Sequence, residues 1–223
     1  MLLQIEKLLT PDAVAHVNQV MDRATWIDGR ATAGYQSERV KHNLQLAEDS
    51  TEARELGDIV LGALSRNALF VSAALPRRVF SPLFNRYDAN MTFGAHVDSA
   101  LRGHPNPLRT DLSATLFLTR PEEYDGGELV IDDTYGGHNV KLAAGNLVLY
   151  PATSLHRVNP ITRGVRRSCF FWIQSFIRDD AKRTLLFDLD VTIQRLNQKM
   201  QEAPEMVQLT SCYHNLIRMW AEA

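Results

Sequence analysis

Apolar residues along this chain recur first at helical spacing, then in short alternating runs, then at helical spacing again, and these two changes of period divide it into three stretches. In the first, Thr10-Pro11-Asp12 is a helix opening, with a capping hydroxyl, a proline at the first helical position and an acid in the first turn. Val14, Val17, Met21 and Ala24 follow at helical spacing. Trp26 to Gln45, interrupted by Gly29 and Gly34, predicts a turn and one or two short strands. From Asp49 to about Arg66 the period is helical again, with Glu52 three residues after Asp49 in a capping-box arrangement and Leu56, Val60 and Ala63 on one face. After Pro76, and as far as about Ile177, short runs bounded by turn residues predict strands at Val79–Tyr87, Thr92–Asp98, Asp111–Leu118, Glu128–Ile131, Asn139–Leu142, Asn146–Tyr150 and Arg166–Phe176. Turns are expected at Asp125-Gly126-Gly127, Gly136-Gly137 and Ala144-Gly145-Asn146. From Asp179 onward one stripe (Leu185, Leu189, Ile193, Leu196, Met200) and another (Leu209, Tyr213, Leu216, Trp220), separated by Pro204, predict a helical hairpin. The pattern is that of a mainly β protein with flanking helices (α+β), its strands suited to a jelly roll or another two-sheet barrel. The C-terminal stripes are packing surface, against the β-core or against a second subunit in a homo-oligomer.

Composition changes this picture little and excludes several classes. A hydrophobic share of 45% with 22% charged residues is that of an ordinary globular chain and argues against disorder. A formal charge of −2 gives no general attraction for nucleic acid or an anionic membrane, so any anion site is local. Cys169 and Cys212 lie far apart, without metal-type spacing, as expected of reduced thiols. Polar residues Gln4, Glu6, Lys7 and Asp12 break up the start, and no run of eighteen apolar residues could cross a bilayer, so the expectation is a cytoplasmic protein.

Candidate chemistry enters at Tyr87 to Asp98. On a strand His96 and Asp98 share a face and can grip one ion, whereas on a helix they would diverge. A bare His-x-Asp occurs often by chance, so a third ligand decides its meaning. His16 and His214 fall in predicted helices, His42 and His138 in polar or turn contexts, and His104 in the Ala100–Thr110 loop, which reads equally as a substrate lid or an ordinary surface loop. His156 differs, because it follows the apolar strand Asn146–Tyr150 after a short turn, 58 residues beyond Asp98. Two histidines and a carboxylate form a facial triad suited to non-haem Fe(II), although the same three could hold catalytic zinc. Ten residues further on, Arg166 starts the last strand, with Ser168 on the same face; an arginine fork beside a hydroxyl suits a carboxylate. Both faces of Arg166–Phe176 are largely apolar, which marks an interior strand whose polar first residues need partners.

These motifs resemble one known family, the PKHD-type hydroxylases of the prolyl-4-hydroxylase-like Fe(II)/2-oxoglutarate dioxygenases. The resemblance rests on Asn85-Arg86-Tyr87, Phe93 to Asp98, Asp111 to Leu118, Tyr124 to Leu129, Tyr150-Pro151, Leu155 to Val158, Arg163 to Arg166 and Phe170 to Ser175. Trp26 to Gly29, Ala33-Gly34 and Val40 to Asn43 extend it toward the N-terminus. It implies a double-stranded β-helix dioxygenase core over 76–178, with N-terminal helices and short strands over 1–75 packed on it and a helical extension over 179–223. It further implies His96, Asp98 and His156 as iron ligands and Arg166 as partner of the far carboxylate of 2-oxoglutarate. To these the reading adds Ser168 and Tyr87 as co-substrate contacts, with Asn85 a weaker candidate; Tyr87 serves equally as a rim aromatic. Trp172 is assigned to the barrel core and Glu128 to a strand edge. The implied reaction consumes dioxygen and 2-oxoglutarate, releases succinate and hydroxylates a C–H bond of a peptide, amino acid or small metabolite. L-Ascorbate as a rescuing reductant and a role in iron homeostasis are expected from the same resemblance. Two readings from other classes use the same residues: a non-enzymatic iron or 2-oxoglutarate sensor, and a zinc hydrolase on a jelly-roll scaffold.

Overall fold

The change of period at Pro76 marks where two antiparallel sheets begin to dominate the chain. A computed structural model describes residues 1–32, 34, 37–200 and 203–222; Ala33 of the Ala33-Gly34 pair lies outside the described residues. The larger sheet runs in the order Leu3–Ile5, Leu147–Pro151, Leu112–Phe117, Arg166–Ser175, Leu83–Tyr87, Leu44–Leu46, Trp26–Asp28, and Pro76–Val79 also pairs with Arg166–Ser175. The smaller runs Gly136–Val140, Leu129–Asp133, Leu155–Val158, Thr92–His96, Lys41–His42. The N-terminal stretch therefore adds strands to both sheets as well as helices.

Among the described residues five α-helices flank the sheets: α1 (Pro11–Arg23), α2 (Thr51–Arg66), α3 (Ala68–Ala74), α4 (Asp180–Asn197) and α5 (Pro204–Trp220). Thr10 caps α1 as the sequence predicts, its hydroxyl accepting from Ala13 N at 3.2 Å. At α2 the cap is Ser50, which accepts from Ala53 N at 3.1 Å, so the helix starts later than the expected Asp49.

Arg166–Ser175 alternates as predicted. Cys169, Phe171 and Ile173 pack into one apolar cluster with Val17 of α1, Leu56 of α2 and Phe70 of α3. Between the sheets lies a second cluster, in which Phe117 and Val148 of the larger sheet meet Leu129, Ile131 and Val158 of the smaller. At about 25 cal/mol per Å² of apolar surface removed from water, such burial is the main stabilising term for a sandwich of this kind.

Several boundaries differ from expectation. The run Val79–Tyr87 divides into Pro76–Val79 and Leu83–Tyr87, since Pro82 has no N–H to give a ladder. Thr92–Asp98 stops pairing at His96. Tyr124–Gly126 is a strand paired with Ile161–Gly164 rather than a turn, with a bulge between Asp125 and Gly126. Gly136-Gly137 opens a strand, whereas the turn at Ala144-Gly145-Asn146 is as predicted. The helical pair at the C-terminus is also as predicted, but on α4 the buried residues are Arg183, Leu186 and Ile193, while Leu185 and Met200 are exposed. Of the predicted stripe Ile193 is buried and Leu189 and Leu196 half-buried, and Arg183 shares the inner face: its guanidinium is buried and donates to Ile177 O at 2.8 Å and Asp180 Oδ1 at 2.6 Å.

Candidate metal centre

His96 and His156 are directly opposed residues on neighbouring antiparallel strands, and their ring centroids lie 4.2 Å apart. Asp98 lies two residues past His96, beyond the end of strand pairing. One ligand atom from each of the three can be chosen so that all lie within 4.8 Å of one another, and His156 Nε2 is 3.8 Å from Asp98 Oδ2. The pairing of the two strands thus does what the His-x-Asp spacing alone could not, by bringing in the third donor.

The tautomer of each imidazole follows from its neighbour. His96 Nδ1 is 2.8 Å from Gly94 O and His156 Nδ1 is 3.1 Å from Ser154 O. A carbonyl can only accept, so Nδ1 carries the hydrogen in both rings and the Nε2 lone pairs face inward. Burial, reinforced by His156, holds the His96 pKa well below the usual histidine value and favours the neutral, ligating form. Phe93 stacks on the His96 ring at 3.6 Å. The third donor is oriented by a residue that sequence reasoning missed: Ser113, on Leu112–Phe117, donates to Asp98 Oδ2 at 2.6 Å. Ser113 and Thr115 are the two polar residues of that mainly apolar strand, and nothing along the chain distinguishes Ser113.

Arg166 is 1% exposed. Its Nη1 donates to Ser168 Oγ at 2.6 Å, and that hydroxyl donates to Asn85 Oδ1 at 2.5 Å. Strand register explains the chain of contacts, since Arg166 opposes Tyr87 and Ser168 opposes Asn85. The guanidinium carbon sits 5.3 Å from the ring centroids of both Tyr87 and Phe117, while Arg166 Nε is buried without a hydrogen-bond partner. A buried cation with an unused donor is costly, and an anion would relieve it. Burial pushes the Tyr87 phenol up to about 12, so it stays protonated and able to donate.

All of these groups, His96, Asp98, His156, Arg166, Ser168, Tyr87 and Asn85, line one pocket of about 750 Å³ that includes its open mouth. Trp172, assigned to the core, is in the pocket wall. Two further cations line the pocket, Lys41 and Arg102, the latter from the hairpin Leu101–Arg102/Leu108–Arg109 formed by the 100–110 loop. Neither side chain stands out in the sequence, although Arg102 lies in the 100–110 loop four residues past Asp98 and Lys41 lies within the Val40 to Asn43 motif. His16, His138 and Glu128 lie elsewhere, bonded respectively to Glu55, Asp133 and Asn159. Donor set, tautomers and buried arginine together fit a divalent metal and an adjacent dicarboxylate.

Comparison with known proteins agrees with that chemistry. Residues 82–174 match the model of the 2OG-Fe(II) oxygenase superfamily, and residues 180–222 match that of the PKHD-type hydroxylase C-terminal domain. The chain is 58% identical to a PKHD-type hydroxylase from Burkholderia ambifaria and 56% identical to one from Bordetella pertussis, over the whole of both chains in each case. Among solved structures it is similar in fold to a Pseudomonas putida prolyl-4-hydroxylase (TM-score 0.53, 21% identity, 78% of this chain and 92% of that one). It is likewise similar to a Trichoplax adhaerens prolyl hydroxylase bound to a hypoxia inducible factor peptide fragment (TM-score 0.57, 15% identity, 83% and 86% covered).

Proposed function

The chain belongs to the PKHD-type hydroxylases, Fe(II)- and 2-oxoglutarate-dependent oxygenases, and from that premise we propose that His96, Asp98 and His156 hold the iron and that Arg166, with Ser168 and Tyr87, holds the co-substrate. The observation that carries this reading is the convergence of an inward-facing two-histidine, one-carboxylate set and a buried arginine with a free donor in one pocket. When bound, iron and 2-oxoglutarate would activate dioxygen, one oxygen atom going to succinate as 2-oxoglutarate loses CO2 and the other to the hydroxylated C–H bond.

The protein's part is positional. Gly94 O and Ser154 O fix the imidazole tautomers, and Ser113 fixes the carboxylate. Arg166 pairs with the remote carboxylate of 2-oxoglutarate, and Ser168, braced by Asn85, holds the arginine in place. Tyr87 donates to the same end. Apolar walls from Phe93, Leu129, Val158 and Phe170 exclude water. The primary substrate is a peptide, amino acid or small metabolite with an accessible C–H bond, and L-ascorbate restores iron oxidised in its absence. Against a zinc hydrolase, Asp98 is the only carboxylate among the described residues lining the pocket, and it belongs to the metal set, so no second carboxylate stands by as general base.

Anaerobic addition of Fe(II) and 2-oxoglutarate tests this reading. A visible metal-to-ligand charge-transfer band is expected, followed by succinate release on admitting oxygen. Asp98→Ala abolishes both, and Arg166→Ala weakens 2-oxoglutarate binding by the ~1.5–3 kcal/mol of a charged hydrogen bond. Absence of the band in the native protein rejects the cofactor assignment; a band without succinate leaves the sensor.

A further inference from the structure

Lys41 and Arg102 have no task in the chemistry above, yet both line the pocket and are joined through one residue. Lys41 is 4% exposed, and its Nζ donates to Thr32 Oγ1 at 2.9 Å and to Gln45 Oε1 at 3.1 Å. Arg102 Nη1 donates to the carbonyl of the same Thr32 at 3.1 Å. The guanidinium lies over the Trp172 ring at 4.4 Å, a contact that fixes the plane of its fork, and its Nε is buried without a hydrogen-bond partner. Lys41 Nζ sits 5.5 Å from the Phe93 ring and 5.6 Å from that of Phe170.

Two like charges held side by side against an aromatic wall repel, and the repulsion of Arg102 adds to burial in lowering the Lys41 pKa. Neither forms an ion pair among the described residues. Asp98 is committed to the metal set, and Glu48, the other acid whose charge reaches both cations, is exposed. Iron(II), Asp98, Arg166 and the 2-oxoglutarate dianion balance one another, so the loaded pocket still carries the two charges of Lys41 and Arg102. A carboxylate answers that imbalance and matches the planar arginine fork, while Phe170 and Trp172 offer an apolar surface beside it.

We propose that Arg102 and Lys41 form the anion-binding end of the primary-substrate site, so that the molecule hydroxylated here carries a carboxylate next to an apolar or aromatic segment. The inference rests on the dioxygenase reading of the pocket and adds the substrate class to it. Arg102 is the specificity-determining residue, delivered by the 100–110 hairpin; Lys41 supports it from the floor.

A terminal carboxylate and an acidic side chain share this chemistry, and calorimetric titration of the anaerobic Fe(II)–2-oxoglutarate complex with two matched pairs separates them. One pair is N-acetyl-L-phenylalanine and its amide; the other is N-acetyl-Phe-Glu-amide and N-acetyl-Phe-Gln-amide. Binding of at least one acid tenfold or more tighter than its neutral partner is expected, and equal or undetectable binding of acids and amides overturns the proposal. In Arg102→Gln the acid preference falls below threefold, and Arg102→Lys, which keeps the charge and loses the fork, recovers part of it. Should Arg102→Gln instead weaken 2-oxoglutarate binding as much as Arg166→Ala does, Arg102 belongs to the co-substrate and the proposal falls. Failure of the charge-transfer band in the native protein sinks the dioxygenase reading itself; a normal band with no acid preference sinks only the substrate class.

Discussion

Ser113 shows how much of the candidate metal centre can hang on one hydroxyl. Its 2.6 Å bond to Asp98 Oδ2 orients a carboxylate that lies past the end of its strand and has no ladder to hold it. Ser113→Ala therefore lowers Fe(II) affinity by about tenfold while the fold survives, which metal titration of the variant checks. Lys41 poses the opposite case, a residue that function keeps at the expense of stability. Burial depresses its pKa from 10.5 to about 8. A base depressed in the folded state destabilises it wherever the group is charged, so the full cost applies below pH 8 and fades as the pH rises to 10.5. Lys41→Met stabilises the protein at pH 7 by about 1–2 kcal/mol, after the lost bonds to Thr32 and Gln45 are offset, and thermal melts should show the advantage shrinking above pH 8. At this scale the candidate ligands and Arg166 of the candidate site were legible, because His-x-Asp, a later histidine and a polar start to an apolar strand are local patterns. Ser113, Lys41 and Arg102 were not, since each acquires its place only through contacts across strands or from a loop.

Among the elements, Arg166–Ser175 was read closely because alternation has a fixed period: its odd face meets the helices and its even face meets the pocket. The predicted stripe on α4 holds at Ile193 but not at Leu185, because hydrophobicity alone cannot foresee a buried Arg183 that donates to the carbonyls of Ile177 and Arg178 just before the helix. The sequence predicts a turn where the bulged strand Tyr124–Gly126 lies for a related reason: the glycines there serve close approach rather than reversal, a β-carbon at Gly126 meeting Pro160 O at 2.1 Å. Gly127 carries that role to the site. Its φ is +67°, and a β-carbon there would come within 2.3 Å of Ile161 Cδ1 and 3.1 Å of Arg166 Cδ. Gly127→Ala should thus cost about 1–3 kcal/mol of stability and also displace Arg166, weakening 2-oxoglutarate binding while leaving Fe(II) binding intact. Parallel titrations with each ligand separate the two effects; equal losses would indicate general unfolding instead.

Taken whole, the molecule covers the outer face of its larger sheet with α1, α2 and α3, and α4 adds Phe187 to that apolar cluster. Asp180 at the start of α4 accepts from the Met1 ammonium at 2.8 Å, Asp190 accepts from Ser72 of α3, and Glu222 accepts from Arg109 of the 100–110 hairpin at 2.7 Å. A chain ending at Arg178 is expected to melt at lower temperature than the full chain and to bind a dye that reports exposed apolar surface. The hairpin that carries Arg102 is thereby joined to the C-terminus, a linkage no local pattern encodes. The locks on the two imidazoles differ from the side-chain contacts that orient Asp98 and Arg166, because Gly94 O and Ser154 O are main-chain atoms. Point substitution replaces side chains and leaves carbonyls in place. Position 154 is free to drift without disturbing the tautomer of His156, and at position 94 the restraint is space, a β-carbon lying 2.8 Å from Val40 Cβ. The orientation of both imidazoles is thus inherited with the backbone and is robust to mutation in a way that the Ser113 and Ser168 contacts are not.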